Sequence, residues 1–385
     1  MRIIVAPDSF KGSVSAVGTA NAMEKGIRQV FPEAKVIKLP IADGGEGTVE
    51  ALVTATGGQI IYQNVVGPLG NIVKAFWGIM GDGETAVIEM AAASGLPLVP
   101  EDKKDPRITT TYGTGELIKS ALDRGLGKII LGIGGSATND GGSGVAQALG
   151  VRFLDASGQE LPYGGGALAN LDHVDLSGID IRLNDAVIMV ACDVDNPLCG
   201  PRGASTVYGP QKGANLDMVA QLDRALRHFA SKVQKVTGRD VAEFPGAGAA
   251  GGLGAGLLSF TNAKLRPGVE IVLEATGFES VVKSAQLVIT GEGRTDFQTA
   301  FGKAPVGVGK LAKKYNVPVL CVAGGLGQGY EDVLQQGIDG LTSIVPGPMT
   351  LDECIENGAE LIEKGTKRLC QIVKVGMQMG GRVSL

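Results

Sequence analysis

The strongest constraint on the fold is an alternation that starts, stops and starts again. An apolar run, Ile3-Ile4-Val5-Ala6, predicts a buried strand. Residues 14–31 follow with Val14, Val17, Met23, Ile27 and Val30 near helical spacing. KVIKLP at 35–40 predicts a second strand, and GTVEALVTAT at 47–56 a helix that stops at Gly57-Gly58. This β-α-β-α order implies parallel strands joined by right-handed crossovers. The same rhythm returns after about residue 285. It predicts strands at 286–290, 318–323 and 341–345, and helices at 304–315, 331–337 and 351–374. Two strands from the front and three from the back make one doubly wound sheet.

The stretch between them obeys another rule. Strands at 59–66, 73–79 and 85–90 follow in quick succession, separated by GPLGN and GDG, which predicts antiparallel pairing. Helices at 114–123, 141–149, 216–236 and 248–260 then alternate with strands at 128–133 and 187–192. The expected fold class is therefore α/β, a Rossmann-like parallel sheet domain interrupted by a second α/β domain with a mixed sheet. The boundaries read as 1–66 plus 283–385 for the first domain and 67–282 for the insertion. A chain of 385 residues suits two domains of ordinary size, roughly 100–200 residues each.

Charge and rare residues narrow the chemistry. Net charge is −5, which argues against a nucleic-acid partner, because such proteins carry basic patches. No apolar run approaches the ~20 residues that span a membrane. MRIIVAPDS lacks the features of a secretory leader, so the expectation is a cytoplasmic protein. Five cysteines, none in a CxxC pair, suit a reducing compartment. The two histidines, His173 and His228, lie in polar surroundings, which disfavours a histidine-based triad or zinc site. Chemistry must then run on carboxylates, amines, hydroxyls and backbone N–H groups.

Acids stand at the ends of four strands: Asp8, Asp43, Asp193 and Glu292, with Glu46, Asp195 and Asp296 close behind. Open parallel sheets bind ligands outside the carboxyl ends of their strands. Each acid alone also reads as a turn former or helix cap. Lys11, Lys212, Arg294 and Lys303 accompany them. Carboxylates to take a proton and hold Mg²⁺, with lysines and N–H groups to neutralise moving charge, are the requirements of phosphoryl transfer. GIGGSATNDGGSG at 132–144 joins a strand to a helix and offers N–H groups to an anion. Gly132, Gly134 and Ala137 also match a relaxed dinucleotide fingerprint, with Asp155 in the ribose position. The same pattern starts at residues 81, 164, 246 and 307, so it has almost no specificity in a chain with 60 glycines. No GxxxxGK[ST] loop occurs. GAGAAGGLGAGL at 246–257 lacks polar side chains and reads as a close-packing helix.

VAPDSFKGS, ADGGEGT, YGTGELI, GIGGSATNDGG, CDVDNPLCGPRGA, YGPQKGA and VITGEGRTDFQT, in this order along the chain, resemble the type I glycerate kinase family. The resemblance covers essentially the whole chain. It implies ATP- and Mg²⁺-dependent phosphorylation of D-glycerate, with 2-phosphoglycerate favoured over 3-phosphoglycerate, and an active site in the interdomain cleft. Gly18 departs from the helix-forming residues usual there, at about 1 kcal/mol in a helix interior.

Joined to the resemblance, the residues take expected roles. Asp8, Ser9, Lys11, Asp43 and Glu46 lie near glycerate, with the Gly44 and Gly45 backbone and Lys11 on its carboxylate. Asp193 is expected to take the hydroxyl proton, its carboxyl raised by burial at the end of an apolar strand, with Asp296 second. Gly134, Gly135, Ser136, Thr138, Asn139 and Lys303 are expected on the nucleotide phosphates, and Asp195 and Glu292 on Mg²⁺. The rival readings are a nicotinamide-dependent oxidoreductase and a non-catalytic binder of organic acids. Whether the chain forms a homo-oligomer stays open.

Overall fold

The computed structural model describes residues 1–380, which form two compact units. Thirteen strands are β1 Arg2–Pro7, β2 Lys35–Lys38, β3 Gln59–Val66, β4 Ile72–Ile79, β5 Thr85–Glu89, β6 Lys128–Gly132, β7 Arg152–Leu154, β8 His173–Asp175, β9 Val187–Ala191, β10 Lys264–Arg266, β11 Leu287–Thr295, β12 Val319–Leu326 and β13 Gly340–Ser343.

Among the described residues, the first unit holds 1–43, 50–56 and 269–380. Its sheet runs β13-β12-β11-β1-β2, and every neighbouring pair is parallel. From β1 the chain winds outward to β2. After the interruption it returns beside β1 at β11 and winds the other way. The strand order therefore reverses between β1 and β11. One core joins Ile3, Val5, Met23, Ile27, Ile289, Val322 and Ile362. The helix Ala16–Arg28 packs so closely on Gly358–Gly380 that a Cβ at Gly26 would lie 2.4 Å from the Glu363 carbonyl oxygen.

The second unit holds residues 44–49 and 57–268. Its sheet runs β10-β9-β6-β5-β4-β3. β10, β9, β6 and β5 are parallel, and β5-β4-β3 are antiparallel, which is the expected mixed sheet. Trp77, Ile88, Leu117, Ile129, Ile188 and Leu253 share its main core. A further cluster stacks Phe153, Phe229 and Phe260 at 5.6–6.5 Å between ring centres.

Several boundaries differ from the sequence reading. β3 pairs with β4 along its full length, so residues 59–66 lie in the second unit, not the first. Residues 269–282 lie in the first unit, where Gly307 packs on Val269. β11 and β12 run on to Thr295 and Leu326 as a parallel pair, past the end of β1 at Pro7. The C-terminal helix is broken at Asn357, and its first segment, Leu351–Glu356, has a Thr350/Glu353 capping box. Gly18 stands in the first turn of its helix, where its N–H donates to the Ser15 cap. An added Cβ there would lie 2.8 Å from Val14. It is thus no interior break.

Candidate functional site

The point where strand order reverses is where doubly wound sheets bind ligands. Here β1 and β11 lie side by side, with Pro7 opposite Gly291. Asp8 follows at once, its N–H donating to the Gly291 carbonyl at 2.8 Å. Glu292 is the next residue of β11. Pro7 ends the apolar run, and left-handed Gly12 (φ +79°) turns the chain toward its helix. One acid on each central strand therefore reaches the same rim of the first unit.

Asp8 is only 7% exposed. Burial pushes its carboxyl up to about 7, with help from the charges of Asp43 and Glu292. The Ser9 N–H, bonded to Asp8 Oδ1 at 2.6 Å, and Lys11 oppose the rise. Lys11 Nζ lies 3.3 Å from Asp43 Oδ2, with the lysine side chain 69% exposed. Burial works against the Lys11 charge, but Asp43 and Asp8 outweigh it and raise its pKa. Glu292 is buried, and its carboxyl is also raised by burial. Both Thr295 and Thr299 hydroxyls donate to its Oε1, at 3.0 and 2.8 Å. Lys303 caps the helix Ala304–Lys313, and its charge acts on Glu292. Asp296 is engaged locally, beside Arg294 at 3.5 Å and accepting from the Gln298 N–H at 3.0 Å. The first unit thus gathers Asp8, Ser9, Lys11, Asp43, Glu292, Asp296 and Lys303.

The other expected residues belong to the second unit. There two glycine motifs pack backbone to backbone. A Cβ at Gly132 would lie 2.3 Å from the Gly44 carbonyl oxygen, and one at Gly134 would lie 3.0 Å from Gly45 Cα. Gly44, at φ +86°, also leaves no room for a Cβ, which would sit 2.3 Å from that of Ala191. These glycines are required by close approach. Glu46 is exposed, and buried Glu89 accepts the Val49 N–H at 2.7 Å.

The loop after β6 is built inward. Lys212, 2% exposed, donates to Ser136 Oγ at 2.7 Å and to the Thr138 carbonyl at 2.6 Å. Burial pulls its amine down to about 7. Asp140, fully buried, accepts from Thr111 N–H and Oγ1 at 2.8 Å each and from the Gly142 N–H at 3.1 Å. Thr138 and Asn139 are 0% exposed, and Asn139 Nδ2 donates to Ser205 Oγ at 2.9 Å. Both are buried in the second unit, and Thr138 Oγ1 and Asn139 Oδ1 have no hydrogen-bond partner there. Only Gly134 and Gly135 open to solvent. The packing reading of 246–257 agrees with Gly251, whose Cβ would lie 1.9 Å from the Thr138 carbonyl oxygen.

Asp193 departs from the environment expected of it. It is exposed, and its Oδ1 accepts the Gly268 N–H at 2.8 Å. The carboxyl that is both buried and raised by burial on the first unit's rim is Asp8. Asp195 is 77% exposed and paired with Arg202 at 2.9 Å. Among the described residues no three His, Cys, Asp or Glu side chains are grouped to hold a metal ion. Mg²⁺ ordinarily takes only one or two carboxylates together with nucleotide phosphates, and Glu292, with Oε1 oriented by two hydroxyls, fits that use. The sequence reading missed Thr295, Thr299, Asp140 and Glu89. The first three lie inside motifs it had quoted.

A doubly wound sheet with buried carboxylates at its switch point, interrupted by a mixed α/β unit, defines a two-unit α/β protein with a polar small-molecule site. The glycerate kinase family model matches residues 3–374. A glycerate kinase of Bacillus subtilis (strain 168) is 57% identical over 98% of this chain and 99% of its own. A glycerate 2-kinase of Escherichia coli (strain K12) is 51% identical over 99% and 100%. The crystal structure of a Salmonella typhimurium LT2 protein designated glycerate kinase 2 matches with a TM-score of 0.90 at 49% identity, over 98% and 99% of the two chains. The chain belongs to the glycerate kinase family.

Proposed function

We propose that the protein transfers the γ-phosphoryl group of ATP to the O2 hydroxyl of D-glycerate, giving 2-phosphoglycerate and ADP, and that Asp8 takes the hydroxyl proton. The carrying observation is the Asp8 carboxyl, buried at the switch point and raised to about 7. A base of that pKa is about half ionised at neutral pH, so it is both available and able to receive a proton. Support for the reaction comes from the family and from the two relatives named above as glycerate kinases. The E. coli relative's name supports O2 as the acceptor.

The step balances simply. The glycerate oxygen forms a bond to the γ-phosphorus, its proton passes to the Asp8 carboxylate, and the bond to the β-phosphate oxygen breaks. Lys11, exposed and held only by a 3.3 Å contact to Asp43, is free to swing onto the substrate carboxylate. The Ser9 hydroxyl stands beside it in sequence. Glu292, with Asp43, would hold Mg²⁺, which when bound neutralises phosphate charge. Gly134 and Gly135 present backbone to the nucleotide. Asp193, exposed and bonded to the Gly268 N–H, orients substrate or metal water without serving as base.

Incubation with ATP, Mg²⁺ and D-glycerate, followed by phosphorus NMR, tests this. A 2-phosphoglycerate resonance is expected. A 3-phosphoglycerate product refutes the acceptor assignment, and the absence of both products refutes the reaction.

A further inference from the structure

Lysine side chains are almost never fully buried unless they are paired with an acid. Lys212 is buried in the second unit, yet both acceptors of its Nζ are uncharged: Ser136 Oγ at 2.7 Å and the Thr138 carbonyl at 2.6 Å. The segment that carries it is rigid. Lys212 ends the short helical turn Pro210–Lys212, and the left-handed Gly213 that follows (φ +97°) packs so tightly that a Cβ there would lie 2.4 Å from the Lys104 carbonyl oxygen. A few residues earlier, Ser205 Oγ accepts from Asn139 Nδ2 at 2.9 Å. Residues 205–212 therefore hold the loop after β6 at Ser136, Thr138 and Asn139.

The loop is tied down by its carbonyls. The Gly132 carbonyl accepts the Met90 N–H at 2.9 Å, the Gly135 carbonyl the Leu96 N–H at 2.9 Å, and the Ala137 carbonyl the Thr109 hydroxyl at 2.9 Å. The Thr138 carbonyl takes Lys212. The Ala137 N–H donates to the Ser94 carbonyl at 3.0 Å, which completes an antiparallel bridge between Gly95 and Ser136. Residues flanking the bridged pair carry its bonds, so the Ser136 N–H points away from 94–96. Among the described residues the N–H groups of Gly134, Gly135 and Ser136 have no protein acceptor. Gly135 is exposed. Carbonyls pinned inward and successive N–H groups left over are the polarity that an anion requires.

We propose that Lys212 is a positioning residue for nucleotide binding, which through Ser136 Oγ and the Thr138 carbonyl fixes the Gly134–Ser136 N–H groups where the phosphates are bound. This role rests on Gly134 and Gly135 meeting the nucleotide. A neutral side chain could supply the same two hydrogen bonds. The amine adds positive charge beneath the loop, at the cost of burial, and Asp140 offsets that cost only in part. A phosphate seated on the loop offsets more of it.

Calorimetry with ADP and Mg²⁺ on the whole chain, beside steady-state kinetics, tests the role with Lys212→Met, Ser136→Ala and the double variant, each checked for folding by far-UV circular dichroism. Methionine keeps most of the lysine stem and removes the donor. Lys212→Met is expected to weaken ADP binding and to raise KM for ATP by at least ~10-fold, about the worth of one hydrogen bond, with KM for D-glycerate unchanged. Ser136→Ala is expected to weaken ADP binding less, and to add little to Lys212→Met because both remove one contact. A folded Lys212→Met enzyme with wild-type ADP affinity overturns the role, as does an equal rise in both KM values, the mark of general damage. If Lys212→Met does not fold, wild-type ADP affinity in Ser136→Ala overturns it. Fully additive effects overturn the route through Ser136. A wild type that does not bind ADP refutes the nucleotide reading of the loop and the role with it, whereas failure of the role alone leaves wild-type binding intact.

Discussion

Asp8→Asn separates the cost of the proposed base from its use. The wild-type carboxyl has a folded pKa of about 7 against 3.8 for the free side chain. Between those values the folded state holds a proton that the unfolded state has released. Stability therefore falls as pH rises from about 4 through 7, and the loss is complete above the folded pKa. Three pKa units correspond to about 4 kcal/mol, an upper limit because Lys11 and the loop can relax around the charge. Asparagine matches the protonated acid in shape, and its side-chain oxygen can keep the Ser9 N–H bond seen at 2.6 Å. It carries no charge to bury. Urea unfolding without nucleotide or Mg²⁺ should then show the variant more stable than wild type by about 2–4 kcal/mol at pH 8 and nearly equal at pH 4. Turnover should fall by at least ~100-fold in the same protein. A variant less stable than wild type at pH 8, or a difference that ignores pH, would refute the assignment of a buried, raised carboxyl at this position.

Three further outcomes follow from particular contacts. Asp193→Asn should retain the acid limb of the pH–rate profile and lose less than ~100-fold in turnover, since Asp193 is exposed and its Oδ1 is occupied by the Gly268 N–H; a loss of the limb would return the role of base to it. Lys212→Met leaves Ser136 Oγ and the Thr138 carbonyl without their donor, and thermal melts at pH 7 should show a loss of about 1–3 kcal/mol; an unchanged melting point would mean the loop does not depend on this strut. Gly44→Ala forces a side chain into a left-handed backbone 2.3 Å from the Ala191 Cβ, and denaturant unfolding should register a loss of at least ~1–3 kcal/mol; a neutral result would contradict the close approach of the two glycine motifs.

The parallel and antiparallel halves of the fold were legible because their signals are local. Periodicity over 14–31 and the quick succession of strands at 59–90 follow from neighbours in sequence. The first boundary was not legible. The quick succession of 59–66 and 73–79 signals their pairing, but no local feature marks the crossover just before them, where residues 50–56 stay in the first unit while β3 joins the second sheet. The motifs led to the right segments, but the roles within them depend on burial, which is a tertiary property. Thr138 and Asn139 look like anion ligands beside glycines and turn out to be fully buried. Asp193 follows an apolar strand and yet is exposed, whereas Asp8, after an equally apolar strand, is covered. Strand ends identify which acids reach a rim. They do not say which of them water can reach.

The pH dependence of kcat/KM for D-glycerate, at saturating ATP and Mg²⁺, addresses the account at its centre. The account predicts a rate that climbs with pH to a plateau, with an apparent pKa near 7, and an Asp8→Asn enzyme that lacks both the climb and at least ~100-fold of the plateau rate. A wild-type rate independent of pH between about 5 and 8, or an Asp8→Asn enzyme of near-normal activity, would contradict it.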